Sequence, residues 1–167
     1  MLDKSMEKSL NRQINQELDG AYNYLAMAAY MDRINLTGFA TWLRAQREEE
    51  LAHAMRLYQY VLDRGGRIEL EALSKPQADF EGVREVFVKA IQLEKQNTSA
   101  INDLFRLAVE QGDYATQSHL QWFIDEQVEE EKQFDEVSGL LDMVGEDKSA
   151  LLLLNDKLGA RKDEEKK

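Results

Sequence analysis

Four stretches of this sequence repeat apolar residues at steps of three and four, each for about thirty residues, and that periodicity leaves few folds open. They run roughly from 4 to 34, 38 to 64, 80 to 111 and 114 to 144. Gly65, Gly112 and Gly145 stand where a left-handed residue would end a helix, and Thr37, Asp79 and Asp113 stand where a side chain could cap the next one. One proline and nine glycines in 167 residues, with Ala, Leu, Glu, Gln and Arg abundant, favour helices throughout. The expected class is all-α.

Only a few residues join the first segment to the second and the third to the fourth, which predicts two antiparallel hairpins. The connection between the pairs is longer. Its stretch GRIELEALSKPQA holds the only proline, and about fourteen extended residues reach roughly 45 Å, the length of a helix of about thirty residues. The second and third helices can therefore run parallel, joined by a crossover along the bundle. SALLLLNDKLG then predicts a short fifth helix, packed either on its own bundle or against symmetry mates. The expected domain covers 1–158, with a charged, disordered tail at 159–167.

Each apolar stripe is broken near its middle. The first reads Leu10, Ile14, Glu17, Ala21, Tyr24; the second Leu43, Gln46, Glu50, His53, Leu57; the third Phe87, Ile91, Glu94, Thr98, Ile101; the fourth Phe123, Gln127, Glu130, Phe134. A shift of 77 residues lays Glu17 on Glu94, Glu49 on Glu126 and His53 on Glu130, so the two hairpins align at these polar positions. Each break lies about thirteen residues, or roughly 20 Å, from its helix start. Midpoints coincide whichever way a helix runs, which places Glu17, Glu50, His53, Glu94, Gln127 and Glu130 in one layer inside the bundle.

Ionised and unpaired, each carboxylate there would cost several kcal/mol, against a domain stability of about 5 to 15 kcal/mol. No Lys or Arg lies on these stripes at that level. Protonation, solvent or bound metal must neutralise the layer, and carboxylates with one imidazole form a good ligand set for iron. A polar layer that only sets helix register is the competing reading.

The formal net charge of −11 argues against nucleic acid or anionic membrane as partners. Cysteine is absent, no apolar run approaches eighteen residues, and MLDKSMEKSL carries acid and base where a signal peptide would be apolar. A cytoplasmic location is expected.

With Glu17 and Glu94 as lone glutamates, Glu50-x-x-His53 as one pair and Gln127-x-x-Glu130 as the other, the sequence resembles the prokaryotic non-haem ferritins from about residue 5 to 158. Ferritin-like carboxylate bundles are a worked example of this Glu and Glu-x-x-His pattern. The second histidine of rubrerythrin-like and bacterioferritin-like proteins is missing here, and Gln127 with Glu130 is similar to the storage ferritins.

The resemblance implies a ferritin-like four-helix bundle, a 24-subunit shell, and a ferroxidase that oxidises Fe(II) with O2 or H2O2 and stores the ferric product. It implies one iron held by Glu17, Glu50 and His53 and another by Glu50, Glu94 and Glu130, with Gln127 beside them. A third site would draw on Glu49, Glu126, Glu129 and Glu130, although a solvated acidic face fits Glu49, Glu126 and Glu129 as well. Tyr24 matches a tyrosine read as an electron donor, and Trp122 a tryptophan near the site; both also suit plain packing. Haem is not expected, because Ala52 stands where bacterioferritins place a methionine ligand. Met31 and Met55 are read as core filler, and His119 as structural or exposed. The alternative class is a rubrerythrin-like di-iron peroxidase without storage.

Overall fold

The computed structural model describes residues 2–160. Its elements in chain order are α1 (Lys4–Arg33), α2 (Thr37–Asp63), α3 (Val83–Glu110), α4 (Tyr114–Val144) and α5 (Lys148–Gly159), and the described residues include no strand. Of the tail expected to be disordered at 159–167, Gly159 is instead the last residue of α5 and Ala160 its cap, while residues 161–167 lie outside the described part. Among the described residues no helix is long and apolar enough to cross a membrane.

Gly65, Gly112 and Gly145 all take positive φ, as the stop signals require. Asn35, at φ 62, turns α1 into α2 in the same way, a role its short polar side chain tolerates. Asp113 caps α4 by accepting from the Thr116 amide at 3.1 Å. Two expected caps are corrected. Thr37 is the first residue of α2, so the cap position falls on Leu36, whose side chain cannot accept. Asp79 lies outside α3, which begins at Val83, and pairs with Arg33 of α1 at 2.7 Å. At the start of α3, Glu85 reaches back to accept from the Glu81 amide at 2.6 Å.

Contacts fix the directions. Glu7 near the start of α1 meets Arg67 just beyond α2, and Asp3 at the cap of α1 meets Gln111 just beyond α3, so both α2 and α3 oppose α1 and run parallel to each other. The segment linking them is pinned by a side-chain ladder spaced four residues apart on α1. Glu7 accepts from the Arg67 amide at 3.0 Å, Asn11 from Glu69 at 2.7 Å, Asn15 from Glu71 at 2.8 Å and Asp19 from Ser74 at 2.9 Å. Asn11 and Asn15 also donate to the carbonyls of Arg67 and Glu69. The crossover thus finds partners for its backbone without a second strand.

Two apolar clusters fill the bundle. One is built around Tyr24, Phe39, Trp42, Phe87 and Phe134, the other around Met6, Leu10, Leu57, Leu120 and Phe123. The polar breaks of the four stripes lie between them. Met31 is buried as expected, but Met55 is 56% exposed and fills no core.

α5 packs on its own bundle, mainly against α2. Asn155 supplies what Leu36 lacks: its Oδ1 accepts from the amides of Gly38 at 2.8 Å and Phe39 at 3.2 Å. The approach is close enough that a methyl on Gly38 would lie 1.8 Å from the Asn155 carbonyl oxygen. We expect Asn155→Ala to cost about 1 to 2 kcal/mol through the lost cap, and Gly38→Ala to cost about 3 kcal/mol or to release α5. Thermal unfolding and proteolysis near Gly145 measure both, and wild-type behaviour of Gly38→Ala would contradict this docking.

Candidate metal centre

Between the two clusters, Glu17, Glu50, His53, Glu94, Gln127 and Glu130 are each no more than 4% exposed. Helical spacing puts Glu50 and His53 on one face of α2, and Gln127 and Glu130 on the matching face of α4. Two triads of ligand atoms converge, each within 4.8 Å of one another: Glu17, Glu50 and His53, and His53, Glu126 and Glu130. Among the described residues Glu94 belongs to neither triad. Its two carboxylate oxygens are held elsewhere, Oε1 by the Tyr24 hydroxyl and Oε2 by the Gln127 amide at 3.2 Å.

Two residues that the stripe pattern did not single out complete the layer. Gln13 donates to Glu17 Oε1 at 2.8 Å, and Asn97 donates to Glu17 Oε2 at 3.2 Å and to Gln127 Oε1 at 3.4 Å. Gln13 also donates to Asn97. Glu17 is therefore oriented by two amides before any ion arrives. The sequence signal for Asn97 was its place three residues after Glu94.

Burial opposes ionisation of Glu17, but His53, Glu50 and Gln13 outweigh it and its pKa is lowered. Burial and the charges of Glu17 and Glu94 push Glu50 well above the usual carboxylate range. Burial also raises Glu94, to about 6, against the pull of its bonds from Tyr24 and Gln127. Tyr24 is raised well above its ordinary value by burial and by Glu94, so its hydroxyl keeps its proton. The layer holds protons that a cation would displace.

The donor chemistry suits a divalent metal. His53 Nδ1 is buried and has no hydrogen-bond partner, lying 3.7 Å from Glu17 Oε2. A buried ring nitrogen left in that state costs free energy that a cation would recover. Gly20 lets Glu50 lie against α1, since a methyl there would sit 3.2 Å from Glu50 Oε2.

The remaining sequence candidates are spread. Glu126 is buried, Glu49 is half-buried and accepts from Gln46 at 2.8 Å, and Glu129 is exposed. Trp122 stands edge-on to the His53 ring at 5.5 Å with Arg56 over its face at 4.1 Å. His119 stacks on Tyr60 at 3.9 Å, away from both triads, and burial followed by the charge of Arg56 lowers its pKa to about 4.

A helical bundle whose central layer is carboxylates around one imidazole defines a ferritin-like protein, and comparison with known proteins agrees. The family model described as a ferritin-like domain matches residues 7–144. A bacterial non-heme ferritin of Staphylococcus aureus (strain USA300) is 41% identical over 161 residues, covering 96% of this chain and 97% of the relative. The corresponding protein of Staphylococcus epidermidis is 39% identical over the same span. An open pore ferritin from the hyperthermophilic archaeon Archaeoglobus fulgidus superposes with a TM-score of 0.95 at 41% identity, over 97% of this chain and all of that one. The chain belongs to the ferritin family.

The raised pKa of Glu94 makes a pH prediction with a definite sign. Its proton favours the metal-free fold fully below the unfolded carboxylate value near 4.5, and that contribution is lost as pH rises through about 6. Relative to Glu94→Gln, the metal-free protein should lose about 2 kcal/mol of stability between pH 4.5 and 7. Chemical denaturation at the two pH values checks this, and a constant difference would contradict it.

Proposed function

We propose that this protein is an iron-storage ferritin with ferroxidase activity, and that Fe(II) is its substrate. The observation that carries the reading is the fully buried Glu17, Glu50 and His53 triad in a chain of this family. Relatives 41% identical over nearly the whole chain are bacterial non-heme ferritins.

In this reading Glu17, Glu50 and His53 bind one ferrous ion, and Glu50, Glu94 and Glu130 bind a second, with Glu50 shared. Glu94 reaches the second ion by giving up its bonds from Tyr24 and Gln127. The oxygen ligands stabilise the harder ferric state. Each ion gives one electron to the oxidant: O2 leaves as H2O2, or H2O2 leaves as water. The proton on Glu50 departs as the ions bind, and hydrolysis of the ferric product releases more. Holding two reductants side by side lets one oxidant collect both electrons without a free radical leaving the site.

Gln127 fixes Glu94 rather than binding metal, and Tyr24, protonated and touching Glu94, is placed to donate an electron. Glu49, Glu126, Glu129 and Glu130 form a third iron site beside the pair. We assign the protein to the cytoplasm as a 24-subunit shell, the assembly that gives the mineral a protected interior.

Aerobic addition of excess Fe(II), followed by measurement of particle mass and bound iron, tests the assignment. A hollow assembly retaining far more iron per chain than the layer itself can hold is the expected result. Glu17→Ala and Glu50→Ala should each slow initial oxidation at least 100-fold. A small oligomer that stops at the layer's own capacity would instead indicate a di-iron peroxidase, and no bound iron would indicate a scaffold; either result overturns the proposal.

A further inference from the structure

Glu94 has to leave its present partners before a second ion can use it, and the Gln127 amide that holds it is itself held. Gln127 Nε2 donates to Glu94 Oε2 at 3.2 Å and to the Glu94 carbonyl at 3.4 Å. The same nitrogen donates to the Thr98 hydroxyl at 3.2 Å, and Thr98 in turn donates to Glu131 at 2.5 Å. At the other end of the amide, Gln127 Oε1 accepts from Asn97 Nδ2 at 3.4 Å, while Asn97 Oδ1 accepts from Gln13 and Gln16.

Hydrogen counting leaves this chain one direction. A hydroxyl has a single proton, and the Glu131 carboxylate, which has none to give, takes that of Thr98. Thr98 can then only accept from Gln127, so the NH2 end of the amide faces Thr98 and Glu94. Asn97 enforces the same orientation, because Gln13 and Gln16 both donate to its oxygen and leave its NH2 to meet the Gln127 oxygen. Turned over, Gln127 would set its oxygen against the Glu94 carboxylate. Thr98 and Glu131 are half-buried and line a groove of about 250 Å³ between α3 and α4, whereas Gln127 and Glu94 are buried. The chain thus starts from a carboxylate at the groove and ends on one in the layer. Neither Thr98 nor Glu131 belongs to the two triads of ligand atoms.

We propose that Thr98 and Glu131 are positioning residues that hold Glu94 back from the second ion, acting through Gln127. This rests on the two-ion reading above and adds what sets the affinity of its second step. While Glu94 is held, both hydrogens of the Gln127 amide have acceptors, one on Glu94 and one on Thr98. Without the hydroxyl, one N–H of a buried amide loses its partner, which destabilises the held arrangement more than the released one. The second ion binds the released arrangement, so its apparent affinity rises as the held one is weakened. The first ion uses Glu17, Glu50 and His53 and does not depend on this balance.

The test is anaerobic calorimetric titration of Co(II) into the full-length, metal-free protein, with the step that Glu94→Ala removes identified as the second ion. Thr98→Val keeps the shape of the side chain and deletes the hydroxyl. It should tighten the second step roughly 2- to 10-fold, the effect of one hydrogen bond on an equilibrium constant, and leave the first step within about 2-fold. Thr98→Ser, which keeps the hydroxyl, should bind as the wild type does, and Glu131→Ala, which frees the Thr98 proton, should shift the second step in the same direction as Thr98→Val. A side chain that only supports the fold would weaken both steps when removed. An unchanged second step in Thr98→Val and Glu131→Ala, or equal weakening of both steps, would overturn the proposal while leaving the two-ion reading intact. Uptake of a single Co(II) in the layer of the wild-type protein would overturn the two-ion reading, and this inference with it.

Discussion

The cost of burying five carboxylates governs this structure. Glu17, Glu50, Glu94, Glu126 and Glu130 lie between two apolar clusters, each no more than 6% exposed. Five ionised groups in that volume would repel one another with energies comparable to the stability of the whole domain. The chain meets this by raising the pKa of Glu50 and Glu94, with amides from Gln13, Asn97 and Gln127, and with the Tyr24 hydroxyl. A metal-free layer arranged in this way is stable enough to fold, yet each of its protons marks a place where a cation does better.

The rest of the fold holds that layer at one height. Residues converge from four helices only if helix directions and offsets are fixed, and the long crossover does much of this. Its extended backbone lies on the Glu7, Asn11, Asn15 and Asp19 ladder, which sets its course along α1 and so delivers α3 antiparallel to α1. At the other end, α5 caps α2 through Asn155 and closes the bundle beneath Gly38. Aromatic packing of Phe87, Trp42, Phe134 and Tyr24 then carries the register into the layer itself.

Much of this was legible in the sequence because helical periodicity and buried polarity are local signals. The stripe positions read for α1, α2 and α4 at the level of the layer are buried, and the glycine stops fall where positive φ is required. In α3 the trace stepped from Glu94 to Thr98, whereas the helix buries Asn97 and leaves Thr98 half-buried, because α1 and α4 cover a face turned one residue toward the N-terminus. Steps of three and four are equally helical, so one chain's pattern could not choose between them. The Asn11 and Asn15 ladder carries no sequence signal, since a side chain that bonds a distant backbone has the same spacing as one that faces water. The cap from Asn155 is invisible for a related reason: it joins residues more than a hundred positions apart. Glu94 shows the limit for the site, since spacing places it in the layer but only the fold reveals that Tyr24 and Gln127 already hold it.

Crystals soaked in Fe(II) without oxygen, with anomalous difference maps recorded at the iron absorption edge, address the central claim most directly. The account predicts a strong peak bounded by Glu17, Glu50 and His53, and a second one on the Glu94 and Glu130 side of Glu50. Iron found only at exposed acidic surfaces, with the buried layer unchanged, would contradict it.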